Sequence, residues 1–277
     1  IKFASLTPDG KILDKASTAT PETLEELLAW LDQRLSERDY RGIAMSVPGA
    51  VNQETGMIEG ISAIPYIHGF SWYEVLAHHQ LPIHLENDAN CVGLSELLAH
   101  PEIENAACVV IGTGIGGAMI INGKLHRGRH GLGGEFGYMT TIEPAEKLNN
   151  WSLLASTGNM VRYVIEKSGR SDWDGRKVYQ EAAAGNALCQ EAIERMNRNL
   201  AQGLLNIQYL IDPDVISLGG SISQNPDFIK GVQKAVDTFV EKYEEYTIAP
   251  VIQACTYHAD ANLYGALVNW LQEENQW

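Results

Sequence analysis

Hydrophobic positions along the chain alternate between two spacings, one helical and one extended. Residues 21–38 place Leu24, Leu27, Leu28, Leu31 and Leu35 at intervals of three and four, which predicts a helix with one apolar stripe laid on a sheet. The run Ile43-Ala44-Met45-Ser46-Val47 breaks at Pro48-Gly49 and predicts a buried strand that ends at a cleft loop. Ile83-His84-Leu85 predicts a second strand, leading into Glu86-Asn87-Asp88 and then a helix from Asn90 to Leu98. Downstream, residues 107–111, 215–218 and 249–254 read as strands. Residues 186–211, 226–243 and 261–272 read as helices, the first stopped at Asp212-Pro213. The polar trio 86–88 therefore sits at the carboxyl end of a strand, where open α/β sheets bind ligands.

One stretch carries more chemistry than periodicity. Gly112-Thr113-Gly114-Ile115-Gly116-Gly117 lies between the apolar runs 108–111 and 118–121, and Asn122-Gly123 follows as a hairpin signal. Glycines 112, 114 and 117 fit the dinucleotide fingerprint, but that motif needs a helix after the turn, and a strand is predicted here instead. A Walker loop is excluded because no Gly-Lys-Ser/Thr follows. Two readings remain: a tight turn in which glycine supplies positive φ, or a cradle whose backbone N–H groups and Thr113 hydroxyl meet an anion.

Composition narrows the partners. The 277 residues can bury one large or two moderate α/β cores, and 45% hydrophobic against 20% charged residues argues for a chain folded throughout. A net charge of −15 opposes nucleic-acid binding, which depends on clustered Lys and Arg. Cys91, Cys108, Cys189 and Cys255 form no ligand-like pair and read as reduced thiols of a cytoplasmic protein. No apolar stretch reaches the length of a membrane span. His78 and His79 are adjacent on a predicted helix, where neighbours point apart, so no metal site is expected from them.

The motifs ENDAN at 86–90, GTGIGG at 112–117 and GGEFG at 133–137 occur in that order, with Gly219-Gly220 closing the strand at 215–218. In these the chain resembles the ROK family of bacterial sugar kinases and sugar-responsive repressors, from its first residue to its last helix. The resemblance implies an α/β, two-lobed actin-like ATPase (ribonuclease H-like) fold with a ligand cleft between the lobes. It further implies a small lobe of residues 1–105, to which a terminal helix at 261–277 returns, and a large lobe of residues 106–260. In the family a first strand and a D-x-G-G-T phosphate loop precede the position at which this sequence opens, so no site residue is named from them.

What the resemblance implies for function is phosphoryl transfer from ATP, with Mg²⁺, to a sugar hydroxyl, most plausibly O6 of a glucose unit. Asp88 then acts as general base; a helix N-cap is its structural alternative. The sugar side would consist of Gly49, Asn87, Asp88, Glu135, Tyr138 and Ser152, and the ATP side of Gly112, Thr113, Gly114, Gly116, Gly219 and Gly220. Two departures stand out. Tyr138 occupies the place of the family's His, and no Cys or His lies between it and Ala155, which excludes the family's structural zinc. Ser152 occupies the place of a second sugar-binding Glu, and the zinc-less pattern is similar to that of the β-glucoside kinases, so a disaccharide stands beside glucose as substrate. The family also implies a homodimer, and a non-catalytic sugar-sensing regulator is the alternative function.

Overall fold

The computed structural model describes residues 1–60, 62–141 and 149–277. β1 (Lys2–Leu6) and β2 (Ile12–Ser17) pair as an antiparallel hairpin. α1 (Leu24–Leu35) starts at Thr23, whose hydroxyl accepts a hydrogen bond from the Glu26 amide. The leucine stripe of α1 packs on Trp72, Leu76 and Leu85, as its spacing predicts. β3 (Ile43–Val47) is followed by the hairpin β4 (Ala50–Asn52) and β5 (Met57–Glu59), then by the one-turn α2 (Trp72–Val75), β6 (Ile83–Asn87) and α3 (Asp88–Ala99). β3 and β6 run parallel with Val47 opposite Asn87, so both strands end at one edge.

β7 (Ala106–Ile111), β8 (Ile115–Ile121) and β9 (Lys124–Leu125) form the strand–turn–strand unit read from the glycine run. Asn122 and Gly123 close the second turn with φ of 53° and 70°, the paired left-handed residues of a type I′ turn. After β10 (Thr140–Thr141) and β11 (Asn149–Asn150) come α4 (Trp151–Ala155), α5 (Thr157–Ser168), α6 (Gly175–Ala183) and α7 (Ala187–Ile211). β12 (Val215–Gly219), α8 (Pro226–Lys242), β13 (Ile252–Ala254) and α9 (Ala261–Glu273) complete the chain. The main sheet has the order β13-β12-β7-β8-β9, with β13, β12 and β7 parallel and the remainder antiparallel.

Each face of that sheet is covered. One face meets α5, α7 and α8 in a core built on Val109, Ile111, Leu204, Leu218 and Phe228. The other meets α3, whose residues Asn90 to Leu97 are all buried, and α9 stacks on α3 in turn. This layering explains why α3 lacks a clean polar face. It also requires glycine: a Cβ on Gly265 of α9 would lie 1.7 Å from the Cys91 carbonyl oxygen of α3. Trp270 anchors α9 to the first strands, its indole donating to the Pro82 carbonyl at 3.4 Å.

Candidate active site

A cavity of about 720 Å³ opens where the end of β6, the β7–β8 turn and the residues after β12 meet. Its size is that of a small-molecule cleft. Asp88, Glu135, Tyr138, Ser152, Gly112, Gly114, Gly116 and Gly220 of the residues expected to bind ligand line it. Gly49, Asn87, Thr113 and Gly219 do not, and each has an identifiable structural position. Gly219 is buried in the sheet, where a Cβ would lie 3.2 Å from Val92 and 3.3 Å from Cys255. Thr113 is the exposed tip of the turn.

The trio at the end of β6 divides its labour. Asn87, not Asp88, is the N-cap of α3: its Oδ1 accepts from the amides of Ala89 and Asn90 at 2.9 and 3.1 Å. Its Nδ2 donates to the Gly49 carbonyl at 3.1 Å and to Asp88 Oδ1 at 3.2 Å. Both ends of the Asn87 amide are thus engaged within the protein, and Gly49 serves as its anchor, with φ of 104°. Asp88 Oδ1 also accepts from the Ala89 amide at 2.9 Å, while Oδ2 has no partner among the described residues.

Glu86 braces Asn87 and Asn90 from below. It is only 2% exposed, and its Oε1 accepts from the Asn87 amide and from Asn90 Nδ2, each at 2.8 Å. Its Oε2 accepts from Arg127 Nε at 2.6 Å. Arg127 in turn donates to Asn269 Oδ1 at 2.7 Å and Glu273 Oε1 at 2.9 Å on α9. A buried carboxylate this densely bonded fixes the backbone on either side of it. Sequence reading assigned Glu86 and Arg127 no role; the presence of the Glu within ENDAN was the available signal.

Two carboxylates share the cavity. Loss of bulk water around Asp88 pushes its carboxyl above the ordinary value, against the pull of the Ala89 and Asp88 amides and the Asn87 side chain. Its accessible surface is cavity wall, and crowding by protein there outweighs formal exposure. Glu135 is raised as well, by burial first and by the negative charge of Asp88 second. No hydrogen-bond donor of the described residues reaches the Glu135 carboxylate. Asp88 Oδ2 and the Glu135 carboxylate are thus acceptors lacking donors among the described residues, which suits a ligand rich in hydroxyls.

The glycines of the turn are not there for positive φ. None of glycines 112, 114, 116 and 117 has positive φ. What matters is room: a Cβ on Gly112 would meet no atom within 4 Å, so its missing side chain leaves open cavity. The Gly112 amide donates to the Gly114 carbonyl at 2.9 Å and the Ile115 amide to Ser152 Oγ at 2.8 Å. The tip amides of Thr113 and Gly114 have no partner among the described residues. Ser152 also donates to the Ile115 carbonyl at 3.2 Å, which makes it a clamp on the turn. Gly220, with φ of 91°, faces the turn from β12; a Cβ there would lie 2.1 Å from the Ile111 carbonyl oxygen. The cavity also takes in His258 and Asn262 from the start of α9, which no motif in the sequence marks.

Away from the cavity, the expectation that His78 and His79 diverge does not hold. They lie on a 3-10 turn, Ala77–His79, rather than on an α-helix, and the ring centroids are 4.0 Å apart with both Nε2 atoms on Asp32. A shared carboxylate on α1 draws both rings to one side.

Comparison with known proteins agrees with this geometry. The chain is 34% identical to a β-glucoside kinase from Listeria monocytogenes, over 100% of this chain and 95% of that protein. It superposes with a TM-score of 0.98 on a ROK family protein from Streptococcus pneumoniae in complex with sucrose, at 88% identity, covering 100% of this chain and 96% of that one. A ROK family glucokinase from Streptomyces griseus, in complex with glucose and AMPPNP, shares the fold at 22% identity and a TM-score of 0.76, covering 95% and 93% of the two chains. The two-lobed actin-like ATPase fold is common to these structures. The family model matches residues 1–273, and the chain belongs to the ROK family.

Proposed function

We propose that this sugar phosphotransferase moves the γ-phosphoryl group of ATP to a hydroxyl, O6 of a glucose unit, of glucose or of a glucose-containing disaccharide. The observation that carries the reading is the presence of Asp88 and Glu135 in one cavity with Gly112, Gly114 and Gly116 of the glycine turn. Asp88 Oδ2 is the general base: it takes the hydroxyl proton as the sugar oxygen attacks phosphorus. Oδ1, held by the Ala89 amide and Asn87 Nδ2, keeps the carboxylate oriented while Oδ2 works. Glu135 accepts hydrogen bonds from other sugar hydroxyls, which satisfies a carboxylate that otherwise has none. The Thr113 and Gly114 amides and the open face of Gly112 fit phosphate oxygens, with Gly220 allowing close approach from β12. Mg²⁺, when bound with ATP, would supply positive charge that offsets the phosphates.

Two features support a second sugar ring. Tyr138 stands 73% exposed at the cavity, and Ser152 is committed to Ile115, so neither closes the pocket around a single ring. The Streptococcus pneumoniae relative, which is 88% identical, is in complex with a disaccharide. The family's zinc cluster has no counterpart in sequence, and residues 142–148, which lie where its loop would be, are outside the described residues.

ADP release measured against glucose, cellobiose, sucrose and 6-deoxyglucose tests the reading directly. Turnover with glucose or a disaccharide and none with 6-deoxyglucose is the expected result. ADP release with none of these sugars, alongside sugar binding by calorimetry, would instead identify a sensor without chemistry.

A further inference from the structure

Outside the cavity, three side chains of metal-ligating type converge on one point. Asp32 of α1, His78 and His79 place one ligand atom each within 4.8 Å of one another. Asp32 Oδ1 lies 3.2 Å from His78 Nε2 and 2.9 Å from His79 Nε2. An ion bound tetrahedrally at about 2.0–2.1 Å holds its ligand atoms roughly 3.3 Å apart, so the two distances to Asp32 need adjustment of only tenths of an ångström.

The hydrogen-bond pattern supplies a second, independent indication. His78 Nδ1 lies 3.1 Å from the Val75 carbonyl oxygen, which can only accept, so Nδ1 carries the ring hydrogen. A neutral His78 then presents a bare Nε2 lone pair to a carboxylate oxygen that also carries only lone pairs. Two acceptors at hydrogen-bond distance require something positive between them. An imidazole whose far nitrogen is anchored on a backbone carbonyl is the usual outer-shell arrangement of a histidine metal ligand. A proton on His78 is the competing resolution, with both imidazoles donating to Asp32 Oδ1, and metal titration distinguishes the two.

We propose that Asp32, His78 and His79 form a binding site for a divalent transition-metal ion of the Zn²⁺ type, with the remaining coordination position open to water. Two imidazole nitrogens and a carboxylate oxygen suit such an ion better than Mg²⁺ or Ca²⁺, which take oxygen ligands. Entry is unobstructed, since the Asp32 and His78 side chains are 47% and 56% exposed while His79, at 16%, is held firmly against the protein. An ion there ties α1 to the segment between α2 and β6. Both already share the core around Trp72 and Leu76, so the site acts on the stability of that region. It is distinct from the cysteine-cluster zinc of the family.

Zn²⁺ titrated by calorimetry into the chelator-stripped full chain, produced without a histidine tag, tests the site. About one ion per chain with micromolar affinity and a Tm raised by Zn²⁺ are expected. Asp32→Asn, His78→Ala and His79→Ala should each weaken binding by roughly tenfold or more. All three variants should retain wild-type sugar phosphorylation, because none of these residues lines the cavity, and that activity also certifies that they fold. Absence of both heat and thermal shift at excess Zn²⁺ would show a protonated hydrogen-bond network and overturn the proposal. Equal Zn²⁺ affinity in the His79→Ala variant would place the ion elsewhere and overturn it too.

Discussion

The two walls of the cavity are made from different parts of the peptide. The glycine wall, Gly112 to Gly116 with Gly220, offers backbone amides and empty space and contains no titratable group. The carboxylate wall, Asp88 and Glu135, offers two carboxyls that burial makes costlier to ionise, Glu135 further so by the charge of Asp88. Space of the first kind is written locally, by leaving side chains out. Charge of the second kind is held in place remotely: Asp88 depends on Asn87, Asn87 on Glu86, and Glu86 on Arg127 and the end of α9. Substitutions on the two walls should therefore fail in different ways.

The largest effect is expected on the carboxylate wall. Asp88→Asn keeps Oδ1 as an acceptor for Ala89 and Asn87 but removes the base, so turnover should fall on the order of 10²- to 10⁴-fold with sugar affinity nearly unchanged. Coupled ADP assay and sugar calorimetry separate the two quantities. Near wild-type turnover would make Asp88 a positioning group and remove the contrast between the walls. The same variant should not lose Tm at neutral pH, because it relieves a carboxylate whose ionisation the fold resists.

On the glycine wall, Gly220→Ala should cost stability first. It combines positive φ with a 2.1 Å clash against a backbone oxygen, a strain of several kcal/mol by the usual scale of backbone outliers. Thermal melting measures it, and an unchanged Tm would mean that the β12 end yields easily. Gly112→Ala is the sharper partner experiment. Its Cβ touches no protein atom, so Tm should hold while the ATP KM rises roughly tenfold. A variant that lost stability but kept its ATP KM would show that the turn is structural only.

The smallest effect is one of pH. With Asp88 as the proposed base, activity would require its ionised form, so kcat/KM should rise with pH through an acid limb lying above the ordinary carboxylate range. Glu135→Gln removes the carboxyl that the charge of Asp88 raises and, because such repulsion is reciprocal, should move that limb to lower pH. Stability runs the other way. Both carboxyls bind protons more tightly folded than unfolded, so their contribution is greatest below the folded values and declines as pH rises through them. Melting curves across the acid limb should show that decline shrink in Glu135→Gln, and an unaltered profile would separate Glu135 from Asp88 electrostatically.

Much of the architecture was legible because it is local. The leucine stripe of α1, the apolar runs of β3, β7 and β12, and the Asn122-Gly123 turn each follow from spacing or from a residue's own conformational preference. The strand after the glycine run was legible in the same way, and it correctly argued against a dinucleotide-type helix. The site was legible in part. Motifs singled out Asp88, Glu135 and the turn, which share one cavity, yet the motifs could not reveal that Asn87 is spent on capping or that Ser152 is spent on clamping Ile115.

By itself, then, the sequence determined which segments are helix or strand and which residues stand at the strand ends, because those depend on neighbours a few positions away. Tertiary structure alone decided which polar groups remain available. Arg127 meets Glu86 across 41 positions and Glu273 across 146, and Asp32 meets His78 across 46. Such pairings depend on how layers stack, and no periodicity in the chain encodes them. The same holds for the raised carboxyl of Asp88: its residue type is written in the sequence, but the loss of water that shifts it exists only once α3 is packed between the sheet and α9.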